Sequence, residues 1–120
     1  VNKDARAEYT ANLVNLAIDI RKELKLPRLP VVIGELGNMG EKAGGGMVEL
    51  RKAQAAAAAN PKLGKGTVAF VKTTPFARPK ELSPNMGHGH HWFGNAESYF
   101  LIGDALGKAM VRLLEATGTN

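Results

Sequence analysis

The sequence predicts an α/β domain with parallel strands. Two short runs rich in β-branched residues, Val31-Val32-Ile33 and Thr67-Val68-Ala69-Phe70-Val71, lack polar alternation, as expected of strands buried on both faces. They alternate with three segments of helical periodicity, giving the order helix, strand, helix, strand, helix. A strand, helix, strand unit with short connections is most simply a right-handed parallel crossover.

From Asp4 to Leu24, apolar side chains at Tyr9, Leu13, Leu16, Ala17, Ile20 and Leu24 share one helix face, with Lys and Arg mostly opposite. Asp4 is the expected N-cap and Pro27 the stop, because proline donates no backbone hydrogen bond and restricts the residue before it. Pro30 introduces the first strand. Gly34-Glu35-Leu36-Gly37-Asn38-Met39-Gly40 and Gly44-Gly45-Gly46 then supply the glycines of a sharp turn at a strand end. The P-loop spacing is absent both here and around Gly64-Lys65-Gly66-Thr67, where position 59 is Ala. Glu35 and Asn38 are candidates either for shaping the turn or for contacting a ligand.

Met47 to Ala59 is alanine-rich and helix-forming, with Val48, Leu50 and Ala53 among its apolar positions, and Asn60-Pro61 ends it. The alanines suit close packing against a sheet, and Gln54 is expected to be exposed. Lys62 to Gly66 is a turn, followed by the second strand and Lys72-Thr73-Thr74. A long loop punctuated by Pro75, Pro79 and Pro84 runs on to Gly94, a length that marks functional or disordered segments. Asn95 can cap a last helix whose buried face is Tyr99, Ile102, Leu106, Ala109, Met110 and Leu113. Gly103 on that face would allow close approach to the sheet, and Gly118 marks the end.

At 120 residues the chain is one domain or less. The absence of cysteine excludes disulfides and thiolate metal sites. The net charge of +5 comes from 16 basic and 11 acidic residues scattered without a basic run, which argues against a nucleic-acid partner. No apolar run approaches a membrane span, and no signal segment is visible. The chain starts at Val1 and not at Met, as expected of a mature or truncated product. Two strands are too few for three helices to cover on both faces, because sheets usually have about five strands. Strands from another chain or membership of a larger domain would resolve this, and the second is the simpler expectation.

The segment from Asn85 to Tyr99 holds all three histidines and the single tryptophan. Imidazole titrates near neutral pH and can exchange protons or bind a metal, so three within four positions point to function. The loops at 35–46 and 73–94 both emerge at the carboxyl ends of the strands, where ligands bind in such sheets.

His91-Trp92-Phe93-Gly94-Asn95-Ala96-Glu97, followed by Tyr99 and Ile102-Gly103-Asp104-Ala105-Leu106-Gly107, resembles the C-terminal end of SGNH hydrolases of the sialate O-acetylesterase and acetylxylan esterase group. Tyr9 to Arg21 with Leu29-Pro30-Val31-Val32-Ile33 is similar to the helix and strand preceding that end, and Arg51-Lys52-Ala53-Gln54 to the helix after it. The resemblance implies a flavodoxin-like three-layer α/β/α sandwich that deacetylates carbohydrates without a cofactor, in a secreted or periplasmic setting. In that group a serine attacks the ester carbonyl, a histidine takes and returns the proton, and an acid orients the histidine. The histidine matches His91.

Two departures stand out. The group's acid commonly lies three residues before the histidine, and His88 stands there. The nucleophile segment and the oxyanion-hole blocks are missing, and the only serines, Ser83 and Ser98, lie in no Gly-x-Ser-x-Gly elbow. Ser98 reads as part of the last helix's first turn. Residues 1–120 are therefore expected to be the C-terminal part of one hydrolase-like domain, partnered by the missing N-terminal part and by an acetylated carbohydrate, and inactive alone.

His88, His90, Trp92, Glu35 and Asn38 are the candidates for orienting His91 or contacting substrate. Two other readings use the same loop: a metal site of His88, His90 and His91, or a noncatalytic domain that binds a sugar through Trp92 and Phe93. Exposed sheet edges in a partial domain would favour self-association.

Overall fold

A computed structural model describes residues 3–118. Helix α1 spans Lys3–Glu23 and ends in a left-handed turn at Lys25 (φ 56°). There the Leu26 N–H donates to the Arg21 carbonyl and the Lys25 N–H to the Lys22 carbonyl, satisfying groups the helix end would leave open. Asp4 lies inside the first turn and is not the N-cap.

The buried face of α1 is Val14, Ala17 and Arg21, while Leu16, Ile20 and Leu24 are exposed. The sequence-based face is thus rotated, and one arginine assigned to the outer side is inside. The helix carries adjacent apolar stripes, and periodicity alone does not say which one finds a partner. Arg21 decides it, because its guanidinium donates to the carbonyls of Leu29, Leu63 and Thr67 and to Thr67 Oγ1. These acceptors lie just ahead of the two strands.

Strand β1 (Val31–Gly34) pairs in parallel with β2 (Val68–Val71), with Val31 opposite Val68 and Ile33 opposite Phe70. Helix α2 (Gly45–Ala58) links them through its alanine-rich surface. Ala57, fully buried, joins Val14, Ala17, Ile33 and Leu63 in one cluster flanked by Val31, Val68 and Phe70. The small side chains let α1 and α2 approach closely enough for Thr10 Oγ1 to donate to the Ala53 carbonyl at 3.2 Å. Val48, by contrast, is exposed.

Helix α3 (Ala96–Thr117) packs on both strands. It starts where Asn95 Oδ1 accepts from the Ser98 N–H and ends at left-handed Gly118 (φ 66°). Ala109 and Leu113 are buried, Ile102, Leu106 and Met110 are half-buried, and Tyr99 is exposed. Close approach to the sheet comes from the strand side. A Cβ on Gly34 would sit 3.3 Å from Leu106, whereas Gly103 is exposed with open space around it.

Strand alternation puts Ile33 toward α1 and α2 and Gly34 toward α3, so helices cover both faces of the sheet. The architecture is α/β, with a two-stranded parallel sheet among the described residues and one unpaired edge on each strand. No helix among the described residues is long and apolar enough to cross a membrane.

Candidate functional site

The carboxyl ends of β1 and β2 run into two loops that are tied together. The Glu35 N–H donates to the Val71 carbonyl at 2.9 Å, extending the strand pairing by one residue. Glu35 Oε2 accepts from the Thr73 N–H (2.9 Å), the Thr74 N–H (2.8 Å) and the Thr74 hydroxyl (2.6 Å), and Thr73 Oγ1 donates back to the Glu35 carbonyl. Burial pushes the Glu35 carboxyl pKa up, but the Thr74 hydroxyl, the two backbone donors and the Arg51 charge outweigh this and hold it below its ordinary value. Gly37 lies against Thr73 and the Thr74 backbone with no room for a Cβ.

The loop after Glu35 is held from α2. Arg51 donates to the carbonyls of Leu36 (2.8 Å), Asn38 (2.9 Å) and Gly40 (3.0 Å). Gln54 accepts from the Leu36 N–H and donates to the Gly34 carbonyl. Gln54 is 5% exposed, so its expected exposure is overturned. The physical reason is that a turn folded over a strand end buries backbone groups outside any ladder, and long polar side chains from the neighbouring helix satisfy them. The signal was the spacing of Arg51 and Gln54 at three residues, on the side of α2 that also carries the buried Leu50 and Ala57. Glu35 therefore shapes the turn, and Asn38 is buried within it with its carbonyl bound to Arg51.

The proline-punctuated segment is built from short 3₁₀ turns at Thr74–Phe76, Lys80–Leu82 and Gly89–Gly94. Around the histidines the backbone folds back on itself. The His88 carbonyl accepts from the N–H groups of both His91 and Phe93, and the Asn85 N–H donates to the Phe93 carbonyl. Trp92 (φ 54°), Phe93 (φ 54°) and Gly94 (φ 66°) form a consecutive left-handed run, costly for two bulky aromatics. The Tyr99 hydroxyl, from the first turns of α3, donates to the His91 carbonyl at 2.8 Å. Arg78 makes a two-pronged ion pair with Glu97, tying the proline loop to the start of α3 and lowering the Glu97 carboxyl pKa from its ordinary value.

The two loops meet where Gly89 lies against Met39 and Phe93. Beside this contact is a cleft of about 420 Å³, walled by Met39 and Phe93 and by the charged Glu41, Lys42, Arg78, Lys80 and Glu81. His88, His90 and His91 are exposed, with ring centroids 4.3 to 6.3 Å apart. Among the described residues their side chains make no hydrogen bond or ion pair, and no group of His, Asp or Glu is arranged to hold a metal ion. Trp92 is half-buried. Both serines are occupied within the scaffold, Ser83 Oγ donating to the Pro79 carbonyl and the fully buried Ser98 Oγ to that of Phe76.

The arrangement offers an exposed imidazole, that of His91, on a backbone fixed by hydrogen bonds at the carboxyl end of a parallel sheet. It offers no activated hydroxyl beside it among the described residues. No curated protein and no solved structure matches the chain. A family model described as carbohydrate esterase, sialic acid-specific acetylesterase matches residues 1–112, and the chain therefore belongs to that carbohydrate esterase family.

Proposed function

We propose that the chain is the C-terminal part of a single SGNH-type, flavodoxin-like domain that removes O-acetyl groups from sugars, and that His91 is its general base. The observation that carries this reading is the loop around His91. Its backbone is locked by Tyr99 and by the left-handed run, it rests on the turn that follows β1, and it lies in a chain matched to an esterase family.

In the proposed reaction the nucleophilic serine comes from the part of the domain N-terminal to this sequence. His91 takes the serine proton as Oγ attacks the acetyl carbonyl, then returns it to the sugar oxygen as the C–O bond breaks. Water, deprotonated by His91, releases acetate from the acyl-enzyme. The oxyanion donors also come from the N-terminal part. His88 and His90, within a few ångströms of the His91 ring, and Trp92 are proposed to contact the sugar.

Acetyl-ester hydrolysis should be measured for the 120-residue chain and for a form extended upstream in the parent gene. The expected outcome is activity only in the extended form, reduced about 10² to 10⁴-fold by His91→Ala, the range typical of general acid and base catalysis. An extended form that keeps its rate without His91 overturns the assignment.

A further inference from the structure

At the amino ends of the strands, away from the histidine loop, the end of α1 and the turn before β2 enclose an open pocket of about 490 Å³. Its charged lining residues are Arg21, Lys22, Lys25, Arg28 and Lys62, with no acidic side chain among the described residues that line it. The whole chain carries 16 basic and 11 acidic residues, so five cations and no acid around one concavity is a local excess of one sign.

Four of these cations lie on the continuous stretch from residue 21 to residue 28, and the fifth, Lys62, comes from a distant segment. Lys22 is in the last turn of α1, Lys25 and Arg28 in the link to β1, and Lys62 in the turn after α2. Lys22, Lys25, Arg28 and Lys62 are exposed at the rim of the pocket. Arg21 is only 6% exposed, and its hydrogen-bond partners are carbonyls and one hydroxyl, with no carboxylate paired to it among the described residues. Burial without a counter-charge lowers its pKa from the ordinary value. A desolvated guanidinium lacking a counter-ion, on the inner side of a pocket rimmed by four more cations, is a charge arrangement that an anion completes.

We propose that this pocket binds a sulfate or phosphate group, free or carried on a sugar. Arginine and lysine donors from the end of α1 and its link, with Lys62 across the pocket, suit a tetrahedral oxyanion, and the volume admits a monosaccharide bearing one. The site is independent of the esterase reading and lies at the opposite end of the sheet.

The test is an NMR titration of the 120-residue chain with sodium sulfate and, separately, sodium phosphate, with ionic strength held constant by chloride. The expected result is saturable shifts confined to amides of residues 21–29 and 62–67, weakened at least tenfold in K25Q/R28Q and in K62Q. K42Q/K80Q, at the other cleft, should leave the affinity unchanged. A heparin titration separates the sources: affinity more than tenfold above that of free sulfate, and lost in K25Q/R28Q, identifies a polymer-borne group, whereas equal affinity identifies a free anion. Shifts that spread over all basic residues without saturating, or binding that survives both pocket variants, overturn the proposal. Unchanged thermal melting of the exposed-site variants guards against reading misfolding as lost binding.

Discussion

The Glu35 carboxylate accepts three hydrogen bonds from the turn after β2, and its consequence is a pH-dependent stability. Its carboxyl has a pKa below the ordinary value because the charged form accepts from three donors. A carboxyl of this kind stabilises the fold above the unfolded pKa of about 4.3, and that contribution is lost as pH falls through the lower folded value. Glu35→Gln should therefore cost about 1.5 to 3 kcal/mol at pH 7, the scale of a hydrogen bond to a charged group. The gap to the parent chain should close as pH drops below the ordinary carboxylate range, which urea unfolding at a series of pH values would reveal. A pH-independent gap would mean that the side chain acts by packing alone. The sequence named Glu35 but left its role open between turn and ligand, because the donors that settle it, Thr73 and Thr74, lie 38 and 39 residues away.

Helix α2 acts on the site without reaching the histidines. Arg51 holds three carbonyls of the turn that ends at Gly40, and Met39 in that turn supports Gly89 and Phe93 of the histidine loop. Arg51→Met keeps the bulk and leaves three acceptors open, two of them buried, so a loss of about 3 kcal/mol is expected. The same change should shift the fluorescence of Trp92, the single tryptophan, which would report movement of the loop. Both strands, the Asn95 cap and the Gly118 stop were legible because β-branched runs and capping residues act locally. The Arg51 and Gln54 clamp was not, because helical periodicity sends polar side chains outward unless the shape of a neighbouring loop is known. The left-handed Trp92 and Phe93 were equally hidden, since neither residue type favours that conformation and the surrounding fold imposes it.

At the level of the entire chain, the expectation of too few strands meets a sheet with two open edges among the described residues and an exposed apolar row at Leu16, Ile20 and Leu24. Unpaired edges and uncovered leucines promote association. Light scattering should give the isolated 120-residue chain a mass above that of one copy, rising with concentration, while the form extended upstream should stay at one copy. A strictly monomeric short chain would show that the edges are protected. Arg21 carries a different consequence, for the order of assembly. One side chain of α1 reaches carbonyls just ahead of both β1 and β2, so the first helix cannot leave without releasing the starts of both strands. Segments stapled in this way open together, and the amides of α1 and of the two strands should exchange with deuterium as one cooperative unit.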